Sequence, residues 1–285
     1  MKFRTPKRKA AKGYAPISDS RPECILKLSS VGMDFDQPTR HGQLRVLADI
    51  NLELSRFSFT SIVGPSGCGK STLLRLCCGL EAPTHGSIFF DSRPVSSVNT
   101  AVGYVSQDDT LLPWANVLTN VTLPLRFRGV ARQQRIEKGR ELLALVGLTG
   151  FERYYPAQLS GGMQKRCIIA RALSYEPSIF LMDEPFGPLD ALTKLTLQQQ
   201  LVELFEQRRV TTLFVTHDLN EAIALSDRVI AMGRNPGRVK YDVRVPLGRP
   251  RRVSEIQALQ EFQTIREKIW QTLEDELAAT DPSAP

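Results

Sequence analysis

The stretch Gly64-Pro65-Ser66-Gly67-Cys68-Gly69-Lys70-Ser71 decides the fold of this chain. It matches the phosphate-loop pattern G-x-x-x-x-G-K-[ST], and an apolar run, Phe59 to Val63, precedes it while a helical run, Thr72 to Leu80, follows it. Glycines let successive backbone N–H groups surround phosphate oxygens, and the start of the helix adds partial positive charge. We therefore predict a nucleoside triphosphate site in which Lys70 reaches the β- and γ-phosphates and the Ser71 hydroxyl binds Mg²⁺. The predicted nucleotide contacts are Gly64, Pro65, Ser66, Gly67, Cys68, Gly69, Lys70, Ser71 and Thr72.

The positive charge of the chain is concentrated at its N-terminus. The 285 residues carry a formal net charge of +7, and six positive charges with no acidic residue lie within the first twelve, so that the other 273 residues carry only +1. This pattern predicts a basic, disordered tail over residues 1–22, with anionic lipid headgroups as the alternative role, and no nucleic acid is expected as a partner. No apolar stretch approaches the ~20 residues of a membrane helix and no secretory signal is visible, so we expect a cytoplasmic location. The five cysteines and three histidines show no metal-ligand spacing.

The periodicity of the chain predicts one α/β domain, over residues 23–245, with an extension after it. Short β-rich runs come first, at Ile25–Leu28, Arg45–Leu54 and Phe57–Val63. Residues from about 113 to 175 are mainly helical and predict an inserted helical subdomain. Strands then alternate with helices, which predicts a mainly parallel sheet that binds ligands at the carboxyl ends of its strands.

The extension, residues 246–285, ends in a predicted amphipathic helix. Its apolar residues recur at steps of three and four, at Ile256, Leu259, Phe262, Ile265, Ile269, Leu273 and Leu277. This stripe fits docking either on its own domain or on a partner protein.

Four further motifs follow the phosphate loop in a fixed order. Gln107 follows a predicted strand, Val102–Val105. Leu159-Ser160-Gly161-Gly162-Met163-Gln164 opens a helix, Ile179-Phe180-Leu181-Met182-Asp183-Glu184 is an apolar strand that ends in two carboxylates, and His217 ends another strand. As isolated residues, Gln107 would be an ordinary loop residue and His217 an ordinary core or surface histidine.

Together the five features resemble the nucleotide-binding subunit of an ATP-binding cassette (ABC) transporter, from about Cys24 to the C-terminus. The runs Met-Asp-Glu-Pro-Phe-Gly-Pro-Leu-Asp-Ala and Thr-His-Asp-Leu-Asn-Glu-Ala, with Arg-Asn-Pro-Gly-Arg-Val and Gly-Arg-Pro-Arg, are similar to the nitrate/sulfonate/taurine import ATPases within that family. The resemblance implies a P-loop NTPase core of the ABC ATPase type, with an antiparallel β subdomain and an inserted α-helical signature subdomain.

The two carboxylates have distinct predicted roles. Asp183, at the end of a strand beside the phosphate loop, is placed to hold Mg²⁺, and Glu184 is the candidate that orients or deprotonates the attacking water. Gln107 can reach the metal or the water through its amide oxygen, and the resemblance makes it the γ-phosphate sensor. The resemblance also makes His217 the switch histidine that contacts the γ-phosphate.

The resemblance implies that a second copy of the chain completes the site. Ser160, Gly161, Gly162 and Gln164 lie at a helix N-terminus, which favours anions, and would complete the ATP site of a head-to-tail partner. Asp190 would lie at the same interface. Phe35 is the candidate aromatic residue for stacking on adenine, with an ordinary core position as the alternative.

These roles predict an ATPase that powers an importer of a small anionic solute such as nitrate, sulfonate or taurine. The implied partners are two integral-membrane permease subunits and, indirectly, a solute-binding protein, at the cytoplasmic face of the cell membrane. Leu111-Leu112-Pro113-Trp114, an apolar cluster after Gln107, is suited to contact a permease, with core packing as the alternative. A soluble ABC ATPase that acts on nucleic acid or ribosomes is the alternative function; against it, residues 71–159 are too short to hold a long coiled coil, and only one cassette is present.

The sequence departs from the family pattern at two places. Phe57-Ser58 stands where the family usually has Gly-Glu, so we expect an altered turn into the next strand. Pro188 replaces the more usual Ala. None of these three residues is a predicted phosphate contact.

Overall fold

The computed structural model describes residues 23–36, 42–107, 111–187 and 189–278. The predicted basic tail, residues 1–22, lies outside the described residues, and so do Pro188 and residues 279–285. The elements are, in chain order, β1 (Cys24–Asp36), β2 (Gln43–Ser55), β3 (Phe59–Val63), α1 (Lys70–Cys77), β4 (His85–Phe90), β5 (Arg93–Pro94), β6 (Val102–Val105), α2 (Val117–Phe127), α3 (Arg132–Leu145), a 3₁₀ turn (Pro156–Gln158), α4 (Gly161–Leu173), β7 (Ile179–Asp183), α5 (Ala191–Arg208), β8 (Thr211–Thr216), α6 (Leu219–Leu225), β9 (Arg228–Gly233), β10 (Arg238–Arg244), α7 (Val253–Ile256) and α8 (Gln260–Ala278).

A six-stranded sheet forms the centre of the domain. Its order is β10-β9-β3-β8-β7-β6, in which β10 is an antiparallel edge strand and the other five are parallel. The parallel strands bury both faces, which explains why β8 carries no charged residue and β7 none before its terminal Asp183. The edge strand β10 alternates between exposed and half-buried residues, and its weak apolar signal left it unpredicted.

A second sheet covers one face of this centre. Strands β2-β1-β4-β5 form an antiparallel sheet, and its buried residues share one core with α1 and with one side of the parallel strands. The opposite side of the parallel strands packs against α4, α5 and α6 in a second core, to which α2 and α3 also contribute. The phosphate loop and α1 therefore lie between the two sheets.

The turn before β3 differs from the prediction for a local reason. Phe57 adopts a left-handed backbone with φ of 60°, and its N–H donates to Oγ1 of Thr211 at 2.9 Å. Glycine adopts this left-handed conformation readily, so Phe57 occupies a turn position that usually favours glycine. Strand β3 therefore begins at Phe59, and not at Phe57 as predicted. The guanidinium of Arg209 lies 5.9 Å from the Phe57 ring.

The C-terminal helix docks on its own chain. Helix α8 packs against α6 and β9, and Phe262, Ile265 and Ile269 are buried in the second core, whereas Leu259 is exposed. No helix among the described residues has the length and apolar character needed to span a membrane.

Candidate functional site

Four motifs meet at the carboxyl edge of the parallel sheet. The phosphate loop follows β3, Gln107 follows β6, the two carboxylates end β7, and His217 follows β8. The register pairs Val63 with Thr216 and Asp183 with Val215, so the ends of these strands are level. Neighbouring strands are about 4.8 Å apart, which places the motifs within reach of one bound nucleotide.

The phosphate loop has the backbone geometry that its glycines predict. Gly67 and Gly69 have φ of 79° and 93°, in the region that disfavours other residues. A Cβ on Gly64 would lie 2.5 Å from the carbonyl oxygen of Met232, and one on Gly69 would lie 2.5 Å from Leu47 Cδ2. Nothing lies within 4 Å of a Cβ built on Gly67, so this part of the loop faces open space.

Lys70 lies over the loop. Its Nζ atom donates to the carbonyl oxygens of Gly64 at 2.8 Å and Pro65 at 3.0 Å, and the residue is 6% exposed. Ser71 is exposed and Thr72 half-buried at the start of α1. The Cys68 thiol is buried, and this burial raises its pKa although the nearby Lys70 ammonium acts in the opposite direction.

The two carboxylates at the end of β7 have different environments. Asp183 is the last residue of the strand and is 3% exposed. Glu184 continues the pairing with β8 through its N–H, which donates to the Val215 carbonyl at 2.9 Å, but its φ of 44° is left-handed. A strained backbone of this kind is concentrated at functional sites.

Glu184 and His217 contact each other directly. Oε2 of Glu184 lies 3.0 Å from Nδ1 of His217. The Glu184 side chain is 18% exposed and the His217 side chain 60% exposed, so the pair lies at the surface of the site rather than in the core. The histidine is therefore available to a group outside the chain through its other nitrogen.

Gln107 is held by a residue that the sequence analysis missed. The Gln107 side chain is exposed, and the backbone carbonyl oxygen of Gln107 accepts a hydrogen bond from Lys165 Nζ at 3.0 Å. Lys165 lies on α4 and is only 2% exposed. The signal for this contact is a lysine within a largely buried helix. A buried ammonium needs hydrogen-bond acceptors nearby.

The signature turn, Leu159–Gly162, is packed against the start of α5. Ser160 is the N-cap of α4, where its Oγ accepts from Met163 N–H at 3.3 Å. A Cβ on Gly162 would lie 2.6 Å from Thr193 Cγ2, so a glycine is needed there for helix contact. Ser160 and Gly161 are exposed. The Gln164 amide donates to the carbonyls of Pro156 at 2.9 Å and Leu159 at 3.4 Å, within its own turn.

Asp190 is the N-cap of α5. Its Oδ1 accepts from Thr193 N–H at 3.0 Å, and hydrogen bonds from the Thr193 side chain and backbone hold the pKa of the carboxyl below its ordinary value. The residue is exposed next to the signature turn.

Phe35 lies on the hairpin of β1 and β2. It pairs with Leu44, about 10 Å along β2 from the Leu47 that packs on Gly69. Its side chain is partly exposed, so the aromatic ring is open to solvent.

The oxygen donors at this edge fit a hard cation. The Ser71 hydroxyl, the Asp183 carboxylate and the Gln107 amide oxygen are all of the kind that Mg²⁺ prefers. Among the described residues no three His, Cys, Asp or Glu side chains form a metal cage of their own. A magnesium ion bound through few protein ligands, with phosphate oxygens and water as the others, agrees with this donor set.

Comparisons with known proteins give the family. Residues 47–187 match the family model described as ABC transporter. An uncharacterised ABC transporter ATP-binding protein of Methanocaldococcus jannaschii, MJ0412, is 45% identical over 235 residues, which are 82% of this chain and 86% of that protein. The chain therefore belongs to the ABC transporter family.

Other relatives of this ABC protein agree. The aliphatic sulfonates import ATP-binding protein SsuB of Bacillus thuringiensis is 38% identical over 249 residues, which are 87% of this chain and 96% of that protein. The solved dimeric structure of MJ0796, a bacterial ABC transporter cassette, is similar with a TM-score of 0.70 and 32% identity, and covers 79% of this chain and 100% of that one. A second structure of that cassette, a dimer in a post-hydrolysis state with ADP and Pi, has a TM-score of 0.68.

The predicted fold and enzyme class are confirmed by these comparisons. The chain is a P-loop NTPase of the ABC ATPase type, with the antiparallel sheet and the helical insertion that the resemblance implied. It is an ATP-binding subunit and an ATPase.

Proposed function

We propose that this ATPase powers an importer of a small anionic solute, and that an aliphatic sulfonate is the first solute to test. The observation that carries the proposal is the similarity to sulfonate import proteins along nearly their whole length, 96% of SsuB from Bacillus thuringiensis. Nitrate and taurine are the alternative solutes, since the sequence resembles that importer subgroup as a whole.

The catalytic step assigned to this chain is attack of water on the γ-phosphorus of ATP, which breaks the bond to the β,γ-bridging oxygen and releases ADP and phosphate. Glu184 orients or deprotonates the water, and His217, 3.0 Å away, holds that carboxylate and contacts the γ-phosphate through its other nitrogen. Lys70 neutralises developing charge on the β- and γ-phosphates. Ser71, Asp183 and Gln107 would hold Mg²⁺, which supplies further charge neutralisation when bound.

A second copy of the chain completes each site. Ser160 and Gly161 are exposed at the N-terminus of α4, where backbone N–H groups favour an anion, and Asp190 is exposed beside them. We assign these residues to the ATP site of a head-to-tail partner. The dimeric state of the similar MJ0796 cassette supports this arrangement.

Two permease subunits receive the movement of the dimer at the cytoplasmic face of the membrane. Leu111 is buried, but Trp114 is 75% exposed at the start of the helical insertion, close in sequence to Gln107. A large exposed aromatic residue of this kind is typical of an interaction site. Trp114 is therefore the anchor we assign to the permease contact, and a solute-binding protein acts indirectly through the permease.

Growth on a single sulfur source tests the solute. A deletion strain lacking this gene should fail to grow with an alkanesulfonate as sole sulfur source and should grow normally with sulfate. The wild-type gene should restore growth and the Glu184→Gln variant should not. Normal growth of the deletion strain on alkanesulfonate, with loss of nitrate or taurine uptake instead, would redirect the assignment to that solute.

A further inference from the structure

The first turn of α5 carries a lysine that the roles above leave unused. Lys194 reaches from α5 to the start of α6, where its Nζ lies 3.0 Å from Oδ2 of Asp218 and also pairs with Oε1 of Glu221. Burial opposes the charge of Lys194, but its bonds to Glu221 and Asp218 outweigh that effect and raise its pKa. The lysine is therefore charged and fixed between two carboxylates.

These carboxylates belong to the turn that carries His217. The Thr216 hydroxyl donates to Oε2 of Glu221 at 2.6 Å and accepts from Asp218 N–H at 3.0 Å. Oδ1 of Asp218 caps α6 by accepting from the N–H of Asn220 at 2.8 Å. Burial opposes ionisation of Asp218, yet the bonds from Lys194 and from the backbone hold its pKa below the ordinary value. The residues on both sides of His217 are thus fixed through Asp218 and Glu221.

The position of the His217 ring depends on these hydrogen bonds and ion pairs. Its side chain is largely exposed, so packing does not hold the ring. A turn that is tied on both sides of His217 can hold the ring against Glu184 without covering it. The same exposure leaves the ring open to a bound phosphate.

The first turn of α5 also contacts the signature turn. Thr193, next to Lys194, packs so closely on Gly162 that a Cβ there would lie 2.6 Å from its Cγ2. Asp190 caps the same turn of helix at Thr193 N–H. One turn of α5 therefore contacts the signature turn on one side and the His217 turn on the other.

We propose that Lys194 is a positioning residue, which ties the turn carrying His217 to the first turn of α5, so that the switch histidine of one ATP site moves together with the signature turn that serves the other site. The inference rests on the proposed roles of His217 and of the signature turn. Lys194 does not contact the nucleotide in this scheme and acts through His217 alone. Loss of its charge would leave Asp218 and Glu221 facing each other without a cation, which loosens the turn.

Steady-state ATPase kinetics and equilibrium binding of a fluorescent ATP analogue test this role. Lys194→Met should lower kcat about 10- to 100-fold, the scale of a misplacement near 1 Å, while the analogue's Kd stays within about twofold. Lys194→Arg should restore most of kcat, because a guanidinium can pair with both carboxylates. The double variant Lys194→Met/His217→Ala should be no slower than His217→Ala.

The matched control removes an ion pair of the same kind far from the turn. Lys138→Met breaks the 2.8 Å pair with Glu176 on the helical insertion and should leave kcat unchanged. If Lys194→Met does not fold, Asp218→Asn, which keeps a capping oxygen but lacks the charge, takes its place with the same expectation.

The outcomes separate this inference from the proposed function. A Lys194→Met variant with wild-type kcat, beside a slow His217→Ala variant, would overturn the positioning role alone. Additive losses in the double variant, or a parallel loss of ATP affinity, would show a general structural role and overturn it as well. A wild-type kcat in His217→Ala would contradict the proposed role of the histidine itself, and with it the positioning role of Lys194.

Discussion

Nδ1 of His217 lies 3.0 Å from Oε2 of Glu184, although the two residues are 33 positions apart in the chain. The contact depends on two adjacent parallel strands, β7 and β8, which end level with each other, and on the left-handed backbone of Glu184. It brings a carboxylate that can act on water next to a group that can contact phosphate. The proposed hydrolysis step therefore depends on the geometry of a strand end.

Replacing the carboxylate tests the assigned chemistry. Glu184→Gln should bind ATP normally but lose about 100-fold or more in turnover, because the amide is isosteric and is not a base. With ATP and Mg²⁺ the variant should accumulate as a dimer. ATPase assays and size-exclusion chromatography measure both effects, and Glu176→Gln, which changes an exposed glutamate in the loop between α4 and β7, is the control. Turnover at the wild-type rate would mean that another group activates the water.

The exposed tryptophan predicts a split between hydrolysis and transport. Trp114→Ala should leave the ATPase rate of the isolated subunit unchanged, since the side chain is exposed and contributes little to the core. Solute uptake by cells that carry the variant should fall strongly. Phe127→Ala is the matched control, because Phe127 is also exposed and lies at the far end of α2. Unchanged uptake in Trp114→Ala would reject the permease contact.

A buried arginine predicts a large effect on stability. The Arg251 guanidinium donates to the carbonyls of Ser226 at 2.6 Å and Leu247 at 2.8 Å, beside the C-terminal end of α6. Burial lowers its pKa to about 10. Arg251→Met should lower the free energy of unfolding by about 3 kcal/mol, because it leaves buried carbonyls without donors.

Urea unfolding followed by circular dichroism measures this loss. The neighbouring Arg252→Met removes an exposed pair with Glu255 and should leave the free energy of unfolding almost unchanged. Equal losses in the two variants would contradict the capping role of Arg251.

The unusual turn before β3 predicts a stabilising substitution. Phe57 has a φ of 60°, which costs a bulky residue about 1–2 kcal/mol, whereas its contact with Arg209 returns about 0.5 kcal/mol. Phe57→Gly should therefore raise the free energy of unfolding by about 1 kcal/mol, and Phe57→Ala, which keeps the Cβ, should not raise it. Thermal melts compare the two variants, and a less stable glycine variant would show that the aromatic contact outweighs the strain.

The phosphate-loop cysteine should react slowly with thiol reagents. Cys68 is 1% exposed, and burial raises its pKa, so little of it is thiolate near neutral pH and the rate should increase as pH rises. Cys77, Cys78 and Cys167 are also buried. Burial raises the pKa of Cys24 too, but its thiol is only half-buried, so Cys24 should be the first cysteine labelled by N-ethylmaleimide. Mass spectrometry of the native protein follows the label. Rapid loss of ATP binding with the label on Cys68 would contradict this order.

Much of the fold followed from local patterns. The phosphate loop between an apolar strand and a helix, and the alternation of strands with helices, predicted the parallel sheet and the edge at which Lys70, Asp183 and His217 meet. The edge strand β10 was missed, since half of its side chains are exposed and its pairing with β9 depends on distant residues. In the apolar run after Gln107, Leu111 is buried in the core whereas Trp114 is exposed, and the sequence pattern did not distinguish the two.

The sequence by itself determined which chemical groups the site contains, because phosphate binding and metal binding demand particular residue types at short, fixed spacings. Tertiary structure alone decided which of these groups touch. The pairing of Glu184 with His217, the hold of Lys165 on Gln107, and the reach of Lys194 to Asp218 all join residues far apart in the chain. Such contacts depend on strand register, helix packing and burial, which are set by the whole core and leave no local pattern to read.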